Sequence, residues 1–596
     1  MAKDTKSSRI AVIDRELCTK ERCGYICTKV CPVNRMGQEC IVIDKDTNYP
    51  IISEQLCIGC GICPKKCPMK CIAIINLSKE LENPIYQFGI NSFRLYGLPL
   101  PKEGAVALVG KNGIGKTTAI QLLANHLKPN FAILDRKLSE QEILDSLPME
   151  TRRYFSELTS NLKISHKPQH VDKIRKVFQG TVKELIEKNC GKSAVSKALE
   201  VFHIEKILDR WIDHLSGGEL QKVAIAVAYL KDADIYYYDE FTNFLDIEER
   251  LKVAVILKEL SERKSLIMAE HDLTILDYVS SYVFLFYGEE NVYGIVSQIK
   301  NVRAGINEYL DGFLKEENIR FREHELKFNL HGESEIKTPT KFKYDKMSKK
   351  FEGFGFSGEA GEIREGEIVG MVGKNALGKS LFIKLLAGAE KAEEGDVHFM
   401  NKKGVVSESV KISYKPQYIH AEDVVVNELF ASQKIDMMIF EECKRRLKIT
   451  PLLEKKLTEL SGGELQRVAL TLALSREADV YLFDEPTAFL DIEQRFEFAH
   501  LLRKVISESE KCAFVVDHDV VFIDAIANRL MVFSGESSVK GKSSPPLNKA
   551  QGMNKFLKIV GITMRRDKDS KRPRINKPDS VLDQEQKRED RYYYTS

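Results

Sequence analysis

Glycines, a lysine and a hydroxyl spaced to hold a polyphosphate occur twice in this sequence. In GKNGIGKTT at 110–118, Gly110, Gly113 and Gly115 let backbone N–H groups curl around phosphate at a helix N-terminus. Lys116 is placed to neutralise the β and γ phosphates and Thr117 to ligate Mg2+, with Asn112 and Thr118 completing the expected nucleotide-binding set. GKNALGKSL at 373–381 repeats the pattern through Gly373, Asn375, Gly378, Lys379 and Ser380. Ala376 replaces the glycine found at Gly113, and it fits the loop only if its φ is negative. Further on, YYYDE and YLFDE close apolar runs with Asp239 and Asp484, suited to hold Mg2+ directly or through water. Glu240 and Glu485 follow as general bases to polarise an attacking water. LSGGE also occurs twice, as Ser216, Gly217, Gly218 and Glu219 and as Ser461, Gly462, Gly463 and Glu464. Its S-x-x-E spacing is that of a capping box, and its glycines expose N–H groups to an anion; a plain helix cap accounts for the same residues.

A second chemistry is written in cysteine. Ten of the thirteen cysteines lie between Cys18 and Cys71, a clustering that points to metal rather than disulfides in a reducing compartment. Cys57, Cys60, Cys63 and Cys67-Pro68 have the spacing of a bacterial-ferredoxin [4Fe-4S] run, whose fourth cysteine ligates the other cluster. This assigns Cys18, Cys23, Cys27 and Cys67 to one cluster and Cys57, Cys60, Cys63 and Cys31 to a second. Zinc knuckles use the same residue type but rarely need two Cys-Pro endings. Cys40, Cys71, Cys190, Cys443 and Cys512 are expected to be structural.

The elements that must carry these residues follow from the duplication. KPQ at 167–169 returns at 415–417, and EHD at 270–272 returns as DHD at 517–519. The offset between copies is 263 at Lys116 and Lys379 but 248 at Gln169 and Gln417, so the first copy carries about 15 extra residues. These fall in 138–162, where Ser139 and Glu142 cap one helix, Pro148 breaks it and a second amphipathic stretch follows. AVALVG and EIVGMVG each run as a strand into a glycine loop and a helix, and IYYYD, SLIMAE, VYLFD and AFVVD are further buried strands, giving two α/β domains. The expected boundaries are 1–80 for a small α+β cluster domain, 81–287 and 336–544 for the two nucleotide domains, 288–335 for a connector and 545–596 for a C-terminal extension. A chain of 596 residues with 43% apolar and 30% charged residues accommodates these domains. No apolar run reaches the roughly 18 residues of a membrane span, and Met1 to Arg9 is polar rather than a secretory leader, which places the chain in the cytosol. Net charge is only +3, so contact with nucleic acid must come from local clusters. The run from Arg565 to Lys577 is one, and taken alone it reads as a solvated tail.

Phosphate loop, glutamine, LSGGE, Asp-Glu, FLD (244–246 and 489–491) and histidine, in that order and twice, resemble the ATP-binding-cassette (P-loop NTPase) family. The resemblance implies two ATP and two Mg2+ sandwiched head to tail, Lys116 working opposite Ser461 and Gly463, and Lys379 opposite Ser216 and Gly218. It also implies that Gln169 and Gln417 sense Mg2+ and water and that His271 and His518 meet the γ phosphate. Phe241 and Asp517 depart from the family's usual proline and glutamate, which bears on the relative rates of the two sites. With the cysteine domain, RMGQECI at 35–41, VRAGINEYLDG, GMNKF and RPRINK, the chain resembles the E subfamily, the ribosome-recycling ATPases also called RNase L inhibitors, of archaeal or eukaryotic type. That resemblance implies a cytoplasmic monomer that works without a membrane, with hinges at 288–335 and 545–596. It implies binding between ribosomal subunits beside a class-one release factor or its rescue paralogue. Cassette closure would then split the ribosome, and the protein would stay on the small subunit with initiation factors. The insert and hinges would contact ribosomal RNA. Two other readings use the same residues. An iron-sulfur electron-transfer ATPase would couple cluster reduction to ATP turnover, and a transporter's ATPase subunit would fractionate with membranes.

Overall fold

A computed structural model describes residues 9–76, 83–160, 162–328, 338–400, 410–417, 419, 421–508 and 510–593. The polar start at 1–8, the junction at 77–82, residue 161 of the insert and the end of the first hinge at 329–335 lie outside the described residues. The chain forms two compact units. One comprises Met1–Phe241, Glu259–His271 and Ser280–Glu323; the other comprises Thr242–Lys258, Asp272–Val279 and His324–Ser596.

In the first unit the strands Ala105–Val109, Ile235–Asp239 and Ser265–Ala269 are almost wholly buried, as expected of apolar runs covered on both faces. They pair in parallel, with Ala105–Val109 between Ser265–Ala269 and Tyr282–Glu289, and with Ile164–Lys167 beside Ile235–Asp239 at the edge. This order places the phosphate-loop strand mid-sheet, and the helix Lys116–Leu123 leaves it through Gly115 at φ +100°. A Cβ there would approach Phe93 to 2.8 Å. The insert forms as read. Helix Glu140–Ser146 carries a Ser139 and Glu142 capping box, and Met149–Ser160 follows Pro148. Tyr154 of the second helix fastens the pair to the core by bonding Leu123 O (2.6 Å) and Tyr237 Oη (2.7 Å).

The N-terminal domain pairs Arg9–Ile13 antiparallel with Ile72–Asn76, and Ile41–Ile43 with Pro50–Ile52. Its core is largely sulfur: seven buried cysteines pack among Ala11, Ile13, Val33, Ile41, Ile52, Met69 and Ile72. Asn91 joins this domain to the first cassette. Its Nδ2 donates to Ala11 O (2.8 Å) and Ile52 O (3.0 Å), its Oδ1 accepts from Ile52 N (2.8 Å), and its carbonyl accepts from Ile13 N (2.8 Å). Glu54 adds a 2.9 Å ion pair to Arg94, and Ile10, Val12, Tyr96, Val292 and Ile295 form a shared apolar patch.

The second unit repeats the sheet. Ile368–Val372 lies between Cys512–Val516 and Arg529–Glu536, with Val480–Asp484 and Ile412–Lys415 beyond. A separate antiparallel sheet joins Gly361–Arg364, Thr340–Tyr344 and Val397–Phe399.

Two expectations are corrected. The duplication does not stop at 287 and 544. Tyr293–Val296 and Lys540–Ser543 occupy equivalent places in the two sheets, and the helices Val302–Asp311 and Lys549–Val560 both start at an asparagine cap and end at a left-handed glycine. Each cassette therefore includes the first part of the stretch read as a hinge. Nor is the basic run a solvated tail. Met564–Arg566 pairs with Pro573–Ile575, and helix Val581–Arg588 follows. Arg566 meets Asp524 at 2.9 Å, and both Arg572 (3.2 Å) and Arg574 (2.5 Å) meet Asp277. Buried carboxylates draw these arginines in, because an unpaired buried charge is costly.

Removing the Asn91 amide strips partners from buried backbone groups in both strand pairs. Asn91→Ala is expected to destabilise the N-terminal domain by about 1–3 kcal/mol, read as a lower denaturant midpoint for that domain; an unchanged midpoint would mean the apolar patch alone holds it.

Candidate active sites and cluster pockets

Each phosphate loop folds around its own lysine. Lys116 Nζ donates to Gly110 O (2.8 Å) and Lys111 O (2.7 Å); Lys379 Nζ does the same to Gly373 O (2.8 Å) and Lys374 O (2.5 Å). Burial pushes Lys379 down to about 8, against the pull of Asp246, Glu485 and Asp484. Gly113 sits at φ +68° and Ala376 at φ +58°. The condition of a negative φ at Ala376 is therefore wrong: the second loop keeps the left-handed turn despite a Cβ, at a cost of roughly 1–2 kcal/mol. The turn is held by Ser538 N donating to Ala376 O (3.0 Å) and Ser537 Oγ donating to Asn375 O (3.0 Å).

Beside each loop stands the carboxylate pair. Asp239 and Asp484 are buried and bonded to the Thr117 and Ser380 hydroxyls. Burial and the neighbouring glutamate push them up to about 7 and about 6. Glu240 and Glu485 move the other way. Burial would raise them, but His271 or His518, the phosphate-loop lysine and the glutamine outweigh it and hold both at about 2. Two adjacent carboxylates are thus split, the glutamate held low and the aspartate raised. Gln169 Nε2 donates to Glu240 Oε1 and Gln417 Nε2 to Glu485 Oε1, both at 2.7 Å. His271 Nε2 lies 3.8 Å from Glu240 Oε1, and His518 Nε2 lies 3.5 Å from Glu485 Oε1. A cavity of about 640 Å3 opens beside Thr117, Gln169 and Asp239. The hydroxyl, glutamine and carboxylate oxygens around it are the donor set Mg2+ prefers.

Residues that were not singled out in the sequence place these glutamates. Glu240 and Glu485 have φ +46° and +48°, a strained conformation for a side chain of that size. Their carbonyls are pinned from below. Lys167 Nζ donates to Asp239 O (2.8 Å) and Glu240 O (2.9 Å), and Lys415 Nζ donates to Asp484 O (3.0 Å) and Glu485 O (3.1 Å). Gln221 Nε2 adds a bond to Glu240 O (2.8 Å), and Gln466 Nε2 one to Glu485 O (3.0 Å). The repeated KPQ and LSGGELQ already contained these four side chains. Asp246 was passed over in the same way. Within the second unit its carboxylate accepts from Asn375 N (2.8 Å), while Glu248 pairs with Lys374 (2.5 Å).

Ser216 and Ser461 cap their helices with reciprocal Glu219 and Glu464 bonds, so the capping geometry is formed. Gly217 and Gly218, and Gly462 and Gly463, open the first turn; a Cβ at Gly463 would meet Phe489 O at 3.0 Å.

The cysteines fall in two groups. Cys18, Cys23, Cys27 and Cys67 line one pocket, together with Cys71. Cys57, Cys60 and Cys31 surround Cys63, and Cys40 stands against Cys31. Cys71 bonds Cys18 and Cys67, pushing them down to about 7 and about 6 and itself upward. Gly59 and Gly61 take φ +69° and +66°. At Gly59 a Cβ would meet Arg9 Nε at 2.7 Å. An all-thiol donor set with close backbone suits iron-sulfur clusters.

Known proteins share these features. Residues 96–243 and 358–488 match the family described as ABC transporter, and residues 8–39 match the possible Fer4-like domain in RNase L inhibitor, RLI. Translation initiation factor RLI1 of Saccharomyces cerevisiae is 39% identical over 99% of this chain and 98% of its own length. Of the solved structures, the chain in a model of ribosome-bound archaeal Pelota and ABCE1 is 43% identical, with a TM-score of 0.90 over 98% of this chain and 99% of that one. The chain from the complex of archaeal ribosomal stalk protein aP1 and archaeal ribosome recycling factor aABCE1 is 43% identical, with a TM-score of 0.80 over 87% of this chain and all of the other. No described helix is long and apolar enough to cross a membrane.

Replacing both buried lysines leaves the glutamate carbonyls without their charged partner. The double variant Lys167→Met, Lys415→Met is expected to bind a fluorescent ATP analogue while turning over about 10- to 100-fold more slowly, since misplacing a reactive group by about 1 Å has that effect. Phosphate release at the unaltered rate would show that the glutamines suffice.

Proposed function

This chain belongs to the RNase L inhibitor family of ATP-binding-cassette ATPases, and from that premise we propose that it recycles ribosomes, splitting them into subunits after termination or rescue. The observation that carries the reading is the joining, in one chain, of two complete hydrolytic sets to a sulfur-cored domain bound to the first cassette through Asn91. Lys116 and Lys379 would each bind the phosphates of one ATP, and the N–H groups of the two LSGGE helix starts would offer further donors to nucleotide. Thr117, Gln169 and Asp239 in one site, and Ser380, Gln417 and Asp484 in the other, would hold Mg2+, which when bound would neutralise phosphate charge. Glu240 and Glu485, kept ionised, accept hydrogen bonds from the attacking waters and take their protons. Gln169 and Gln417 orient those carboxylates, and His271 and His518 reach towards the γ phosphate.

Cys18, Cys23, Cys27 and Cys67 would hold one [4Fe-4S] cluster and Cys57, Cys60, Cys63 and Cys31 a second, which when bound would stiffen a domain too small to be rigid through hydrocarbon alone. Rigidity is what a domain that pushes subunits apart requires. The solved relative bound to a ribosome with Pelota supports a class-one release factor or its rescue paralogue as the neighbour, and the relative bound to stalk protein aP1 supports a ribosomal location. The name of the yeast relative, translation initiation factor, supports a link to initiation. The protein acts as a cytoplasmic monomer.

Purified ribosomes incubated with this protein, ATP and a release factor are expected to shift to free subunits on a sucrose gradient. The double variant Glu240→Gln, Glu485→Gln should hydrolyse ATP about 100-fold more slowly, and Cys60→Ser should lose iron and splitting while keeping most basal ATPase. Intact ribosomes in the presence of fully active enzyme would refute recycling, and unchanged turnover in the glutamine variant would refute the assigned bases.

A further inference from the structure

The pocket assigned to the first cluster holds one sulfur more than a [4Fe-4S] cluster needs. Cys18, Cys23, Cys27, Cys67 and Cys71 all line it. Cys71 Sγ lies 3.4 Å from Cys67 Sγ, and the Cys71 side chain is also bonded to Cys18. Cys71 is buried, at 6% exposure. It is held by backbone on both sides. Lys70 at φ +50° turns the chain back so that residues 67 and 71 face one another, and Lys70 N closes the turn on Cys67 O (3.2 Å). Cys71 O then accepts from Asp14 N (2.8 Å), and strand Ile72–Asn76 begins at the next residue. The two sulfurs reach the pocket from opposite ends of one tight turn. The end carrying Cys71 is anchored in the sheet, whereas Cys67 leads into Pro68.

We propose that Cys71 is a reserve iron ligand, able to take the place of Cys67 on the first cluster. The inference rests on the cluster reading given above. The exchange involves no change of oxidation state. The bond from Cys71 Sγ to iron forms as the bond from Cys67 Sγ breaks, and the Cys71 thiol proton passes across the 3.4 Å gap to the departing Cys67 thiolate. The donor count at iron and the net charge are the same before and after. Such a neighbour keeps the cluster in place when the Cys67 bond is broken, because the replacement needs only a rotation of the side chain.

The test is iron and acid-labile sulfide content of the full chain purified without oxygen, with the cluster absorbance as a second readout. Wild type should carry about eight irons and eight sulfides for two [4Fe-4S] clusters. Cys67→Ala and Cys71→Ala should each match it, and Cys67→Ala combined with Cys71→Ala should fall to about half. Half content in Cys67→Ala alone, half content in Cys71→Ala alone, or full content in the double variant would each overturn the proposal. Wild type without sulfide would instead sink the cluster reading itself. If Cys67→Ala does not fold, the rate at which a chelator strips iron from the other two proteins decides. Cys71→Ala should lose iron several-fold faster than wild type, and equal rates would overturn the reserve role.

Discussion

The bond between a buried ammonium and two consecutive backbone carbonyls sets the geometry of each hydrolytic site. Lys167 lies at the end of the edge strand Ile164–Lys167, one strand from the carboxylates, so it reaches Asp239 O and Glu240 O only because that strand runs parallel to Ile235–Asp239 in register. Burial pushes this lysine down to about 8, while Asp239, Glu270 and Glu240 favour its charge. The left-handed backbone at Glu240 persists because both the preceding carbonyl and its own are held. Were the strand to slip by one residue, the lysine would point to the other face. The sheet order, the strained glutamate and the buried cation form one arrangement, and the second copy builds it again from Lys415, Asp484 and Glu485.

The N-terminal domain solves a different problem. It places thiols where a domain of ordinary size would place leucines and phenylalanines, and its two strand pairs are short. A small core of that kind depends on its inorganic filling and on an external brace. Asn91 and the Glu54–Arg94 pair provide that brace through directional bonds, so orientation as well as attachment is specified.

Much of this was legible in the sequence where a residue's type dictates its role. The phosphate-loop helices, the strands that end in the Asp-Glu pairs and the capped insert all sit where spacing put them. The rest was hidden for identifiable reasons. Ala376 was judged by its intrinsic backbone preference, but two serine bonds to the loop override that preference. The basic run was judged by its charge alone, and its partners Asp277 and Asp524 lie hundreds and tens of residues away. The extension of the repeat past 287 was masked because the strands YGIV and KGKS share almost no side-chain chemistry. What they share is a glycine that backs the phosphate loop. A Cβ at Gly294 would meet Ile114 O at 2.0 Å, and one at Gly541 would meet Leu377 O at the same distance. Steric necessity, rather than polarity, carried the homology there.

The grip of Arg572 and Arg574 on Asp277 orders events during synthesis. Asp277 precedes Arg574 by 297 residues. At about 5–20 residues per second, the aspartate is polymerised on the order of 15–60 s before its cationic partners. Helix Leu273–Val279, which follows His271 almost directly, must wait that long with an unmatched acidic group on a surface destined for burial. The nascent protein therefore completes this stretch of its first cassette only once the chain has been extended past Arg574.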